Sequence, residues 1–500
     1  MNEAPARPGL KHSGGCFGRL THRPARWREG AWFGPVCTFS LVPMKDAAHS
    51  PPVIAPAGRK FKGTDRRAPL RGGLQAGGEY GAGQTAGRFY PIACVALEVT
   101  QRCNLDCTLC YLSDRAEMTY DPPLSVLFAR IATIHSHYGP GVSIQLTGGD
   151  PTLRRVEDLE ALCREIRRLG MRSCLMTNGI RASRAFLTRL AAAGLDDVAF
   201  HVDMTQERKG FSSEVELNTV RCAYIRRARG LGLRILFNTT VFGGNFDELP
   251  ALARFLRDRA EVAFVSFQMQ ADTGRGVLRA RPDGITQDSV ARALEDGYET
   301  PLHFGTASVG HSRCNRYASV VTAGGRAVSV LSNRRLVHRI MAALERVDRS
   351  KDGHLDIGNS VRRMALRHPT LTLRAGMHLL GCTLRLGAGL LRGPVRRQAV
   401  FIHNFMAADA LEEDRCTSCV FMVATGNGPL SMCVHNAHRD LFLASPDRID
   451  GPDGSSWWNA AVPRLSGGPD LPDLHDPARA PLKRLKGQMR ALRRNRKDAS

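Results

Sequence analysis

The stretch CVALEVTQRCNLDCTLCYL, residues 94–112, decides how the rest of the chain is read. Its first part, CVALEVT (94–100), is a short β-branched run of the kind that forms a strand. Directly after it, Cys103, Cys107 and Cys110 follow a C-x3-C-x2-C pattern, and the aromatic Tyr111 closes the loop. Downstream the pattern alternates between short β-branched runs and longer amphipathic ones. Strands are expected at 142–148, 172–178, 197–203, 234–241 and 262–268, with helices at 124–138, 156–170, 182–194, 214–231 and 247–258. Strands alternating with helices of this length imply a parallel sheet with helical crossovers. Six such units predict an α/β fold, a partial (β/α)6 barrel with its function at the C-terminal ends of the strands.

The flanks read differently. Of the formal net charge of +23, residues 1–90 hold +9 and residues 479–500 hold +8, leaving about +6 for the long middle section. Residues 1–90 mix Gly, Pro and Arg without a sustained period and read as a disordered basic leader. Residues 91–280 read as the core domain and 281–445 as an α+β cysteine-containing extension. Residues 446–500 read as a Pro/Asp-rich segment ending in a disordered basic tail. Within the extension, 320–332 predicts a hairpin with a Gly-Gly turn and 334–397 an Arg- and Leu-rich helical stretch. Two basic ends on a near-ordinary body, with 6% aromatic residues, disfavour a nucleic-acid-binding protein, so no specific nucleic-acid partner is expected. No run reaches the roughly 18 uninterrupted apolar residues of a spanning helix, and no secretory signal is evident, so a cytoplasmic location is expected. In that setting clustered cysteines are more often metal ligands or catalytic groups than disulfides.

Three thiolates on one tight loop can hold three irons of a 4Fe–4S cluster and leave the fourth iron open to an amine and a carboxylate. A zinc site is the alternative reading of the same spacing. With its position after the first strand of a β/α array, this loop resembles the cysteine motif of the radical S-adenosylmethionine (SAM) superfamily, matched by Cys103, Cys107, Cys110 and Tyr111. The resemblance covers residues 94–270. It implies that the open iron chelates SAM, that reduction of the cluster releases a 5′-deoxyadenosyl radical, and that this radical abstracts hydrogen from a substrate. It also implies an external reductant such as flavodoxin or ferredoxin. Leu146-Thr147-Gly148-Gly149-Asp150-Pro151, after the second strand, resembles the family's GGEP motif, with Asp150 in place of Glu as acceptor for the SAM amino group. Two glycines let the backbone approach a ligand closely.

Thr177-Asn178-Gly179 ends the third strand, where Asn178 is a candidate SAM contact or a simple turn residue. His201 and Asp203 alternate along the fourth strand, Asn238 lies on the fifth, and Gln268 and Gln270 lie on or just beyond the sixth. Inward polar groups are costly unless paired, so these read either as a ligand-lined interior or as a satisfied core network.

A second cysteine group, Cys416, Cys419 and Cys433, needs a fourth ligand. Cys314 is the choice, with His311 and His435 in reserve. Zinc and iron–sulfur are equally served by such ligands. The order of Cys314, hairpin and later cysteines resembles the SPASM or twitch extension of radical SAM enzymes, which implies a second 4Fe–4S cluster. FIHNFM (401–406) and the segment around Cys433 resemble radical SAM proteins related to tetraether lipid synthase and pterin-directed methyltransferases. The expected substrate is therefore a lipid chain or small molecule, with a peptide as alternative. A zinc-stabilised nucleic-acid-binding protein is the rival from another class. The segment 370–392 is apolar but interrupted by Arg374, Arg385 and Arg392. It reads either as a helix packed on the barrel or as a peripheral membrane contact.

Overall fold

The computed structural model describes residues 65–276, 281–347, 357–451, 454–474 and 476. Six parallel strands form the centre: β1 (Cys94–Thr100), β2 (Ser143–Gly148), β3 (Arg172–Thr177), β4 (Asp197–His201), β5 (Arg234–Val241) and β6 (Val262–Met269). Helices follow them in the expected places. A short α1 (Ala68–Ala76) precedes the array, and the crossovers carry α2 (Leu124–Tyr138), α3 (Val156–Arg168), α4 (Arg184–Ala193), α5 (Asn218–Ala228) and α6 (Leu249–Arg257), with α7 (Gln287–Tyr298) after β6. Every residue of β1 is buried, as a strand flanked on both sides and covered on both faces must be. On α3 the apolar Leu159, Leu162, Cys163 and Ile166 recur at helical spacing and face the sheet, with arginines in the last turn.

The segments after residue 300 join the same sheet. The expected hairpin is β7 (Asn315–Ala323) and β8 (Arg326–Ser329), turning on Gly324 and Gly325. Helices α8 (Arg334–Val347), α9 (Ile357–Arg367), α10 (Pro369–Leu384) and α11 (Gly389–Arg392) follow. The stretch expected to be helical up to 397 ends earlier, in strand β9 (Arg396–Asn404). After it come α12 (Glu413–Thr417), β10 (Phe421–Thr425), β11 (Gly428–Ser431), α13 (Met432–Ala437) and α14 (Arg439–Ala444).

Among the described residues the eleven strands run in the order β11-β10-β1-β2-β3-β4-β5-β6-β9-β7-β8. Strand β9 lies parallel to β6 in the register Phe264↔Ala399 to Met269↔Asn404, and β10 lies parallel to β1 with Cys94↔Phe421. The six-stranded array is thus widened to eight parallel strands, with antiparallel margins outside them. The barrel stays open between β9 and β10. Side chains rather than backbone meet across that seam: the rings of His403 and Phe421 lie 4.6 Å apart and those of Phe405 and Phe421 5.9 Å apart. The extension from 281 to 445 is therefore continuous with the core sheet. Periodicity reveals a strand but not which neighbour its backbone will find.

Two further expectations need correction. Order does not begin near Cys94: Leu70 and Leu74 of α1 are fully buried in the barrel's own hydrophobic core, and Thr85 N–H donates to the Ser308 carbonyl at 2.9 Å. The tail also begins with structure. A hairpin of β12 (Asp447–Gly451) and β13 (Gly454–Trp458) packs Trp458 against Val126 of α2, and Arg130 pairs with Asp447 at 2.6 Å. The remainder of the proposed leader, residues 1–64, and the basic tail from 477 lie outside the described residues.

Candidate functional site

A cavity of about 270 Å³ opens at the C-terminal ends of the strands. The loop after β1 forms one side of it, and Cys103, Cys107 and Cys110 all line it. Several neighbouring segments hold this loop. Arg102 N–H donates to Thr100 Oγ1 at 3.1 Å, and the Arg102 guanidinium pairs with Asp121. Thr108 N–H donates to the Thr205 carbonyl at 2.8 Å, and Gly276 N–H donates to the Cys110 carbonyl at 3.1 Å.

The Gly-Gly-Asp turn fixes the other edge of the loop. Gly149 N–H donates to the Thr100 carbonyl and Asp150 N–H to the Arg102 carbonyl, both at 2.8 Å. Gly148 sits at φ +117°, and a Cβ there would stand 1.9 Å from Thr100 O; one on Gly149 would stand 2.0 Å from Arg102 O. Only glycine fits at either position. Tyr111 Oη donates to the Gly148 carbonyl at 2.6 Å, so the last residue of the cysteine motif grips the first glycine of the turn.

Asp150 departs from its expected role. It is fully buried and does not line the cavity. Its oxygens accept from Thr152 N–H at 2.9 Å, from Thr177 Oγ1 at 2.9 and 3.1 Å, and from Asn178 N–H at 2.9 Å. The carboxylate ties β2 to β3, and the cavity receives the backbone of Gly148 and Gly149 instead. Asn178 does line the cavity; its side chain donates to Asn104 Oδ1 of the cysteine loop at 2.7 Å.

His201, Asn238, Gln268 and Gln270 all face the cavity. Asp203 does not: β4 ends at His201, and Asp203 turns inward beneath it. His201 Nε2 lies 2.6 Å from Asp203 Oδ2, which also accepts from Thr240 N–H at 2.7 Å. Burial alone would raise the Asp203 pKa, but the adjacent imidazole and these hydrogen bonds outweigh it and hold the carboxyl well below its usual range.

Burial drives the thiol pKa values upward. The Cys103 thiol is pushed to about 11 by burial, with Cys110 adding to the rise, and Cys107 is raised by burial and then by Cys110 and Cys103. Cys110 thus disfavours ionisation of both Cys103 and Cys107, and Cys103 that of Cys107, so the three share one electrostatic environment. A cation placed among them would reverse this, because a coordinated thiol is deprotonated.

The second cysteine group has the same character. Cys416 is raised to about 12 by burial and then by Cys419 and Cys314; Cys433 is raised by burial, Cys419, Cys314 and Cys416. Cys314, Cys419 and Cys433 line one small cavity at the seam between β9 and β10, and Cys416 packs with Cys433 beside it. Cys433 also reaches the main cavity. Arg415 Nε donates to Cys314 Sγ at 3.2 Å while its Nη2 holds the Asn404 carbonyl at 2.5 Å. The two reserve histidines are otherwise engaged. His311 Nε2 faces Asp414 at 3.1 Å and its Nδ1 accepts from Arg313 N–H at 3.1 Å, whereas His435 stacks on Phe442 in a separate small cavity. Among the described residues, no three His, Cys, Asp or Glu side chains are gathered into a metal-holding group.

The sequence reading passed over one wall of the cavity. Glu98, in the middle of β1, pairs with Arg439 at 2.5 Å and accepts from Gln101 at 2.7 Å. Burial opposes the charge on Glu98, but the Arg439 guanidinium prevails and lowers its pKa to about 2. Arg439 also lies over the Tyr111 ring at 4.8 Å. A lone carboxylate inside an otherwise apolar central strand was the available signal. Phe401, Phe405, Phe421 and Met432 add apolar surface to the cavity lining.

Residues 97–256 match the family model described as the radical SAM superfamily. The chain is 31% identical over 226 residues to the PqqA peptide cyclase of Methylobacterium sp. strain 4-46, covering 42% of this chain and 55% of that relative. It is 27% identical over 186 residues to the 7,8-dihydro-6-hydroxymethylpterin dimethyltransferase of Methanocaldococcus jannaschii, covering 36% of each. The matches thus span about half or less of these relatives' lengths. Among solved structures, Streptococcus suis SuiB is similar at 14% identity and a TM-score of 0.33, over 40% of this chain and 45% of that one.

Proposed function

We propose that this chain, whose residues 97–256 carry a radical SAM domain, a domain that works with a 4Fe–4S cluster and SAM, cleaves SAM reductively at Cys103, Cys107 and Cys110 and removes hydrogen from a substrate held in the adjoining cavity. When bound, the cluster supplies the electron that splits a C–S bond of SAM. The chain's own residues position and shield. The backbone of Gly148 and Gly149 offers polar groups to the methionine end of the ligand, and Tyr111 fixes the Gly148 carbonyl. Asp150 acts as a positioning residue that locks Thr177 and Asn178 to the Gly-Gly turn. His201, Asn238, Gln268 and Gln270 orient the substrate. The aromatic wall of Phe401, Phe405 and Phe421 excludes water and favours a ligand with an apolar body, which supports a lipid chain or small molecule over a peptide.

Cys314, Cys416, Cys419 and Cys433 are proposed to hold a second 4Fe–4S cluster, closed by four thiolates and therefore unable to bind SAM. The cavity shared by Cys314, Cys419 and Cys433 and the packing of Cys416 on Cys433 support this set. Radical SAM enzymes need an external reductant, and flavodoxin or ferredoxin is proposed here. Nothing in the site favours the zinc-stabilised nucleic-acid reading.

One observation carries the proposal: three interacting thiols share a cavity with a glycine pair that admits no side chain. The test is anaerobic reconstitution, reduction with dithionite, and quantification of 5′-deoxyadenosine. Wild type should form it from SAM, and the Cys103→Ala/Cys107→Ala/Cys110→Ala variant should not. Formation by that variant at the wild-type rate would overturn the assignment.

A further inference from the structure

Helix α10 has two apolar faces, and the fold covers one of them. On the inner face Leu371 and Cys382 are buried, His378 Nε2 bonds the Val330 carbonyl at 3.0 Å, and Cys382 Sγ lies 3.7 Å from the Ser329 carbonyl. Half a turn away, Leu373, Met377, Leu380 and Leu384 are 64%, 55%, 58% and 61% exposed. Their spacing of four, three and four residues sets them in one row along the helix. A helix that is apolar all round is normally covered all round.

The charge around the row selects what covers it. From Ile357 to Ala408 the sequence holds eight arginines and no Asp or Glu. Arg374, Arg385 and Arg392 are exposed beside the row or just past its end. We propose that the outward face of α10 docks on an anionic lipid membrane: the Leu/Met row enters the headgroup–acyl boundary, and the arginines meet lipid phosphates. A row of large apolar side chains edged by cations is the design of a helix lying in the interface plane. No helix among the described residues is long and apolar enough to cross a membrane, so the contact is peripheral. A second copy of this chain is a poorer occupant, because a two-fold contact would oppose arginines to arginines with no acidic residue in the segment to offset them. The inference is independent of the chemistry proposed for the cavity.

Co-sedimentation of the full chain with vesicles tests it, using phosphatidylcholine alone and phosphatidylcholine mixed with phosphatidylglycerol. Wild type should sediment with the mixed vesicles and stay in solution with phosphatidylcholine. Met377→Asp/Leu384→Asp should need about tenfold more lipid or worse for half-binding. Arg374→Gln/Arg385→Gln/Arg392→Gln, which leaves the apolar row intact, should lose binding in the same direction and keeps the test open if the first variant folds poorly. Both variants retain the basic chain ends, so wild-type binding by both would assign the effect to those ends and overturn the proposal. Failure of wild type to bind mixed vesicles would overturn it too. So would a wild-type dimer that the Asp variant converts to monomer without any change in vesicle binding.

Discussion

Gly149 and Arg415 show how single residues set the two cysteine sites. A methyl on Gly149 would collide with the Arg102 carbonyl, and the backbone that must yield is the one carrying Cys103. Gly149→Ala should therefore cut iron loading at the first site by about four irons per chain on cubane stoichiometry, read by iron analysis after anaerobic reconstitution. Retention of full iron would show that the loop tolerates the displacement. Arg415 donates to Cys314 Sγ, and both hydrogen bonds to sulfur and local positive charge raise a cluster's reduction potential. Arg415→Gln should lower the potential of the second cluster, measured by an EPR-monitored titration in the Cys103→Ala/Cys107→Ala/Cys110→Ala background. An unchanged or higher potential would contradict the role. At this scale the cysteines and glycines were legible because their chemistry is tied to spacing. The inward turn of Asp150 was not, because a carboxylate can serve a ligand or a backbone from the same position. Arg439, which reaches Glu98 from 341 residues away, left no local trace.

The core elements were legible where a period persists. The six strands and their crossover helices match their expected places to within a few residues at the ends, because burial against a sheet imposes the pattern on each in turn. Elements defined by distant partners were less so. APLRGGLQA holds two glycines and reads as linker, yet Leu70 and Leu74, one turn apart, are enough to seat α1 on the core. Leu70→Ala should therefore destabilise the protein by about 2–5 kcal/mol, the usual cost of emptying a buried leucine site, as measured by denaturant unfolding. A change below about 0.5 kcal/mol would mean that α1 is only loosely attached. Strands β9 and β10 are the same lesson at the two ends of the parallel array. Their sequences predict order, but only pairing with β6 and β1 brings FIHNF beside Phe264 and CVFMV beside Cys94.

Across the whole molecule, the C-terminal segments turn an open barrel into a lined chamber, and the seam they leave is where the second thiol group gathers. His403 lies in that seam, buried, with Nδ1 2.7 Å from Asn315 Oδ1. Burial lowers its pKa to about 3. The unfolded chain takes up this proton near pH 6.5, whereas the folded chain resists it until about pH 3. Its contribution to stability is thus present above pH 6.5 and is lost as the pH falls through that window, by up to about 1.4 kcal/mol per pH unit. Unfolding followed between pH 7 and pH 4 should show this slope, and His403→Gln should flatten it; an equal slope in the variant would assign the acid sensitivity elsewhere. The proposed division of labour sets an open cluster at Cys103, Cys107 and Cys110 against a closed one at the seam. EPR spectra of the dithionite-reduced protein, recorded with and without SAM in variants lacking one cysteine set at a time, test it most directly. The Cys416→Ala/Cys419→Ala/Cys433→Ala variant should give a cluster signal that shifts when SAM is added, and the Cys103→Ala/Cys107→Ala/Cys110→Ala variant a signal that does not. A SAM-dependent shift in the second variant, or none in the first, would contradict the account.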